Sequence, residues 1–452
     1  MVRAPRLLIA LFSLYLSACN SDDDYYNRAP AAGPQANLQV LAASPDAPPF
    51  NVLIDGQLAI PNLDYGQGTG EQPYAATTHT ITLQAQTPGT PTTVISPTTL
   101  DLQANMDYVV VAEGPIATIA PVVFPHTLAL VSQASTQVQV LHAAPNAPAV
   151  AVYLTAPGAD LASSSPLGTF SFQGSLGPTQ VPSGSYEIRV TPSGATTPVL
   201  FDSGTITLPG GSDLVLAALQ NTGPGTAPIT LSLLDSYGNN SRIFDVGTPA
   251  NVRFIHDSPN APAISVVANG DVTAPWVPTL SYPDFTSYLA ETAGLYGVAI
   301  TPASNASDTL VSQNLQLSAG SVHSVYAIGL LASLNTLVTR DDDRRYATQA
   351  KLRIIHGSPA AGPVDIYLTA PSAGISTATP VCAGVPFGGD TGFVSYAAGS
   401  YDLTITAAGS KTPAIGPTPV TLSNDGVYTA VARDAAGGGT PLGLILLDDF
   451  GS

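Results

Sequence analysis

The sequence predicts an all-β chain: a tandem array of four immunoglobulin-like antiparallel β-sandwich modules following an export leader. Three observations carry that prediction. One motif recurs four times at near-regular spacing. Gly and Pro, 41 of each in 452 residues, punctuate the chain too often for long helices. Between these breaks lie short alternating runs of Val, Ile, Leu, Thr and Tyr, in a chain that is 44% hydrophobic and so able to build cores.

The chain opens with Arg3 and Arg6, then the apolar run Leu7 to Leu16, then Leu16-Ser17-Ala18-Cys19. This is the layout of a signal peptide over residues 1–18, and the run is far short of the ~20 residues that span a bilayer. Leu-Ser-Ala-Cys resembles the lipobox of bacterial lipoproteins. That resemblance implies cleavage before Cys19, a diacylglyceryl group on its sulfur and an acylated new amino end, hence a membrane anchor. Several acyl chains hold far better than one. Asn20 rather than Asp after the cysteine points to the outer membrane instead of the inner. Residues 19–36, with Asp22-Asp23-Asp24, Pro30 and Pro34, read as a tether that gives way to ordered strand at Asn37.

The four copies of the motif begin at Leu38 (LQVLAASPDAP), Val138 (VQVLHAAPNAP), Val252 (VRFIHDSPNAP) and Leu352 (LRIIHGSPAAGP). Their prolines, Pro45, Pro145, Pro259 and Pro359, stand 100, 114 and 100 residues apart. The module boundaries read as 37–135, 136–249, 250–349 and 350–452. Within each, a strand ends at a Ser/Ala-Pro-Asp/Asn turn, where Pro fixes φ and the Asx side chain bonds local backbone. A second strand follows, then a tyrosine-bearing strand such as Tyr186-Glu-Ile-Arg-Val, then a final pair. About seven strands per ~100 residues suit a sandwich. The copies fall into two kinds. The second strand ends at Asp55-Gly56 and Asn269-Gly270 in the first and third, both tight-turn signals. In the second and fourth it runs into Thr155-Ala156-Pro157-Gly158 and Thr369-Ala370-Pro371-Ser372. Pro45 to Pro259 and Pro145 to Pro359 are both 214 residues, so a two-module unit reads as having been duplicated.

The His142-to-Pro148 and His356-to-Pro363 segments, with Val152-Tyr153 and Val364-Asp365-Ile366-Tyr367 after them, resemble the bacterial family called domain of unknown function 4397. The closing Leu446-Leu447-Asp448-Asp449 is similar too. The resemblance covers residues 37–452 and implies a secreted β-sandwich module, often in tandem, with no assigned activity. Ala42 replaces the motif His in the first copy, and Ala360 the motif Asp in the fourth.

The motif does not read as chemistry. His142 faces Asn146, His256 faces Asn260, His356 faces Ala360, and Asp46 faces Ala42, so no copy holds a His–Asp pair at these positions. Asn keeps the turn geometry of Asp without its charge. His142, Pro145, His256, Pro259, His356 and Pro359 are therefore expected as structural residues, each ring bonding the backbone of its own proline turn. No nucleophile elbow, zinc-protease motif or phosphate loop is present, and no cofactor or metal is called for. Asp341-Asp342-Asp343 lacks calcium-loop spacing and reads as a solvated connection between modules. Trp276, Tyr282, Phe285 and Tyr288 read as core or interface packing in preference to a sugar-binding platform. Cys382 reads as a buried inert thiol.

Charge narrows the partners. Acidic residues outnumber basic ones 31 to 13, and the only lysines are Lys351 and Lys411. Such a surface repels nucleic acid and anionic headgroups. The sequence-level expectation is a non-catalytic envelope scaffold, stalk or adhesion module, with a protein or glycan ligand and a membrane contact through Cys19. Its alternatives are an envelope hydrolase acting on glycan or wall, and a calcium-stiffened rod.

Overall fold

The computed structural model describes residues 33–451; the leader, Cys19 and most of the tether lie outside them. The first module comprises β1 (Gln35–Ala43), β2 (Phe50–Ile54), β3 (Gln57–Leu63), β4 (Gln72–Ala75), β5 (Thr78–Ala85), β6 (Thr92–Asp101), β7 (Met106–Glu113) and β8 (Ala120–Thr127). The second has β9 (Ser135–His142), β10 (Val150–Thr155), β11 (Gly168–Phe170), β12 (Ser175–Pro182), β13 (Gly184–Pro192), β14 (Phe201–Leu208), β15 (Ser212–Gln220), β16 (Ile229–Asp235) and β17 (Asn240–Ile243). The third has β18 (Ala250–Asp257), β19 (Ile264–Ala268), β20 (Val277–Leu280), β21 (Leu289–Glu291), β22 (Gly294–Pro302), β23 (Val311–Leu317), β24 (Val322–Ile328) and β25 (Asn335–Arg340). The fourth has β26 (Ala350–His356), β27 (Val364–Thr369), β28 (Cys382–Val385), β29 (Val394–Tyr396), β30 (Gly399–Ala407), β31 (Pro413–Leu422), β32 (Val427–Arg433) and β33 (Gly443–Asp448). Strand begins at Gln35, two residues inside the segment read as tether.

Each module is a sandwich of two sheets, as expected. In the first, β4-β1-β7-β8 packs on β3-β2-β5-β6, and the same order recurs in the other three, with β17 added to one sheet of the second. One pair per module runs parallel: β1 with β7, β9 with β15, β18 with β24 and β26 with β32. The remaining pairs are antiparallel. The first strand thus lies beside the seventh, which closes each module around its own core.

Local chemistry fixes the corners. Asp55 and Gly56 both have positive φ (52° and 74°), the mirror-image turn that matches strand twist. Asn269 and Gly270 repeat it at 50° and 75°, although the chain runs on to Val277 before pairing again. Tyr186, Tyr296 and Tyr401, near the start of the fifth strand, each donate a hydroxyl bond to the carbonyl four residues back (Pro182, Thr292 and Ala397). In the first module His79 makes the corresponding contact to Ala75 O at 2.9 Å.

The modules are not strung out singly. The sheet holding β1 and β7 faces the sheet holding β9 and β15, and the sheet holding β18 and β24 faces that holding β26 and β32. Alternation along the strands shows both faces at work. Leu38, Val40, Val110 and Ala112 enter the first module's core. Leu41, Ala43, Val109 and Val111 point the other way and meet Leu141, Ala143, Val215, Ala217, Leu219 and Leu234 of the second module. In the second pair Ile255, Tyr326 and Ile328 meet Ile355, Val431, Ile445 and Leu447. Strands buried on both faces read as continuous apolar runs, as in Tyr108-Val-Val-Val-Ala and Leu214-Val-Leu-Ala-Ala-Leu. The chain is therefore two four-layer units, each made of two modules.

The pairs also touch each other. Arg344, between the third and fourth modules, is buried and bonds Ala47 O and Asp64 of the first, while its guanidinium lies 4.7 Å from the Tyr346 ring.

Candidate functional site

The motif histidines are bound into the fold. His142, at 2% exposure, and His256, at 0%, each accept a backbone N–H at Nδ1, from Ala144 and Ser258, both at 3.3 Å. With Nδ1 accepting, Nε2 carries the proton and donates to Pro148 O (3.2 Å) and Pro262 O (3.0 Å). His356 Nε2 lies 2.9 Å from Gly362 O, while its Nδ1 has no hydrogen-bond partner. Burial lowers all three pKa values, against the raising effect of those carbonyl contacts, and favours the neutral ring. Each ring ties the end of a first strand to the far side of its proline turn. In the first module Ala42 stands there instead. Asp46 accepts from Ile116 N at 2.7 Å, and Asn260 likewise accepts from Leu331 N. The Asp and Asn of the motif thus pin the same neighbouring loop, which accounts for their interchange.

Pro45, Asp46 and Asn146 come together with Gln220, Arg344 and Asp425 around an open cleft of about 410 Å³, where the first two modules meet the fourth. Sequence spacing gave no hint of this convergence.

Two other expectations change, for the acidic run and Cys382, and the packing expected of the third module's aromatics holds for all but Phe285. The acidic run is solvated only in part: Asp342 and Asp343 are exposed, but Asp341 is 8% exposed and is the hub of the interface between the third and fourth modules. Arg353 Nη2 sits 2.8 Å from its Oδ1, and Arg253 Nη2 3.7 Å from Oδ2. Tyr288, Ser324 and Thr339 hydroxyls also donate to it. Burial would raise the Asp341 pKa, but Arg353 and Arg253 reverse this and hold it below the ordinary range. Arg253 also reaches Asp448 with two nitrogens, at 2.6 and 3.2 Å. Asp342 is taken by Lys351 at 2.6 Å. No open calcium ligand set is left at Asp341 and Asp342. The aromatic residues of the third module form no single platform. Trp276 packs on Phe254 and Tyr296, Tyr282 bonds Asp434 O, Tyr288 bonds Asp341, and Phe285 is exposed. Cys382 is half-buried against the fourth core, not fully buried.

The structure also gathers a group that the sequence reading missed. Asp107 (β7), His126 (β8) and Asp213 (β15) each place one ligand-type atom within 4.8 Å of the other two, across the seam between the first and second modules. His126 Nε2 stands 3.6 Å from Asp107 Oδ2 and 3.5 Å from Asp213 Oδ2, too long for good hydrogen bonds. Asp107 is 2% exposed and His126 6%. Asp107 Oδ2 and both ring nitrogens of His126 lack hydrogen-bond partners. Glu71 lies beside them, joined through Asn37, whose amide donates to Asp107 Oδ1 (2.8 Å) and Glu71 Oε2 (3.3 Å). Gln137 donates to Asp213 Oδ2 at 2.6 Å. Burial pushes Glu71 up to about 6 and raises Asp107 as well. Burial opposes charge on His126, but Asp213, Asp107 and Glu71 outweigh it and raise its pKa. A cleft of about 240 Å³, bordered by Glu71, Asp107, Asp213, Leu130 and Tyr237, leads to the group. The ligand atoms lie up to 142 positions apart in the chain, counting from Glu71 to Asp213, and carry no local motif.

Among known proteins, the family model described as "Domain of unknown function (DUF4397)" matches residues 36–153 and 250–367, a little over half of the chain. The two matches are offset by 214 residues, the period of the two-module unit, and each runs from a first module into the second strand of its partner. No curated protein matches. Among solved structures, the Bacillus anthracis TIE protein is similar at 10% identity, over 85% of this chain and 65% of that one, with a TM-score of 0.15. The chain thus spans just under two thirds of that protein, at a similarity too low to carry an argument. Among the described residues no helix is long and apolar enough to cross a membrane.

Proposed function

We propose, for a chain that belongs to the family of the domain of unknown function DUF4397, that it is a non-catalytic cell-envelope lipoprotein presenting two paired β units as a scaffold or adhesion surface. Lipid on Cys19 would hold it to the outer membrane, and protein or glycan would be its ligand. One observation carries the reading: the only reactive side chain repeated with the module, the motif histidine, is bound at Nε2 to backbone in every copy that has it. Repetition here maintains a strand exit. The proline turns of the first two modules, the second of them fixed by His142, border the 410 Å³ cleft, and loops on a rigid scaffold are where partners dock.

The test has two arms. Metabolic labelling with a palmitate analogue marks the wild-type chain and not Cys19→Ser, with the label in the outer-membrane fraction. Capture on glycan arrays and from envelope extracts, using a lipid-free chain that keeps β1 whole from Gln35, returns a saturable ligand. An unlabelled wild-type chain removes the lipoprotein, and turnover without any ligand removes the scaffold.

One feature favours a hydrolase as second reading: Glu71, Asp107 and Asp213 converge at one cleft in the first unit alone. Against it, the depth of Asp107 and His126 denies a polymer access to them. Glycan turnover abolished by Asp213→Asn would establish it.

A further inference from the structure

The two units share a 214-residue period, so their seams can be compared position by position. Gln39 and Gln139 of the first unit correspond to Arg253 and Arg353 of the second. Strand register carries the comparison further. Asp107 pairs opposite Asn37 as Val322 does opposite Asn251, and Asp213 opposite Gln137 as Val427 does opposite Lys351. His126 lies opposite Asp107; Asp341, whose N–H donates to Val322 O, takes that place in the second unit. At this place the second seam buries one carboxylate, Asp341, and supplies Arg253 and Arg353 to neutralise it. The first seam gathers Asp107, Asp213 and Glu71 around one imidazole and supplies no cationic side chain. Residues 37–249 hold only two basic residues besides histidine. Arg189 is spent on Thr155 and Ala159, and Arg242 on the Tyr65 and Phe244 rings.

Even with His126 protonated, three carboxylates face one positive charge. Buried charges without a partner cost several kcal/mol, so a compensating cation from outside the chain is the expected solution. We infer that the first unit binds one zinc-class divalent cation between its two modules, held by Asp107 Oδ2, His126 Nε2 and Asp213 Oδ2.

Geometry and chemistry agree. Two ligands each about 2.1 Å from a tetrahedral zinc stand about 3.4 Å apart. His126 Nε2 is 3.5 and 3.6 Å from the two carboxylate oxygens. An imidazole among carboxylates suits zinc or manganese, whereas calcium takes six to eight oxygens. Asn37 holds Asp107 from behind through Oδ1, and Gln137 fixes Asp213 by donating to Oδ2 itself, as outer partners do in metal sites. The cleft that Glu71 borders is the entry path. Because β7 and β8 belong to one module and β15 to the other, the ion would fasten the two sheets together. The inference stands apart from the scaffold reading.

The test uses the full mature chain, stripped with chelator and titrated with Zn²⁺, with Mg²⁺ and Ca²⁺ as hard-cation comparisons. The expected result is one Zn²⁺ per chain, a rise in melting temperature and little response to Mg²⁺ or Ca²⁺. His126→Gln and Asp213→Asn each weaken Zn²⁺ at least tenfold, and Asp257→Asn in the second unit leaves it unchanged. Should either site variant fail to fold, the wild-type chain still decides. Of its six imidazoles, only that of His126 shifts in the NMR spectrum as Zn²⁺ is added. Absence of saturable Zn²⁺ uptake, or a His126 signal indifferent to it, would leave only a protonated histidine between two aspartates and overturn the site.

Discussion

Glu113 offers a stability test whose sign and size follow from the structure. It ends β7, is 1% exposed and leaves Oε1 without a hydrogen-bond partner. Burial pushes its pKa up from 4.5 to about 7, against a smaller lowering by Gln173. In the unfolded chain the group loses its proton near the ordinary value; in the folded chain it keeps it until about 7. Between those limits the folded state binds more protons, so stability falls as pH rises through the window. At 1.36 kcal/mol per tenfold change in proton affinity, the loss by pH 8 is roughly 3 kcal/mol. Glu113→Gln keeps the shape and the polar atoms but cannot titrate. The variant is expected to match wild type near pH 4 and to exceed it increasingly above pH 5. If the two modules of about 200 residues melt together, the gap at pH 8 is about 6–12 °C. Thermal unfolding of both proteins from pH 4 to 8.5 measures the difference. A gap that stays flat across that range would refute the assignment of the buried carboxyl as the cause.

Three further outcomes are expected. Asp257 is 1% exposed with both oxygens unpartnered, and burial, then Asp434, raises its pKa well above the ordinary range. Asp257→Asn should therefore stabilise the second unit at pH 7–8 and do little at pH 4, as read by the same melting series. Leu219, fully buried between the first and second modules, should cost about 2–5 kcal/mol on truncation to Ala, and one melting transition of the first unit should split into two. Removing Arg353, fully buried at 2.8 Å from Asp341, with Arg353→Met leaves that carboxylate with the weaker contact to Arg253. The expected loss is about 3–5 kcal/mol by urea unfolding; a neutral result would mean that Asp341 reprotonates or finds water.

Much of the fold was legible in the chain itself. The motif at Pro45, Pro145, Pro259 and Pro359 marked four modules, and the turn residues at Asp55-Gly56 and Asn269-Gly270 adopt the positive φ their identities demand. These are local effects, set by side chains acting on their own backbone. The motif histidines were legible for the same reason, since each ring reaches backbone only six residues ahead. The pairing of modules also left a mark. Tyr108-Val-Val-Val-Ala does not alternate because one face enters the module's core and the other meets a neighbouring sheet. The run reveals two buried faces but not which sheet covers the second.

The candidate site left no such mark. Asp107 and Asp213 lie in strands of different modules, and Asp341 sits in a run that looks fully solvated. By itself the sequence determined the repeat, the strand content, the turns and the acidic balance, because each depends on short-range geometry or on simple composition. Tertiary structure alone decided that modules pair face to face. It also decided that one seam buries carboxylates with their own arginines while the other gathers them around His126. A charge acquires its meaning from what the facing sheet brings within a few ångströms, and that distance is set by packing and register, not by position along the chain.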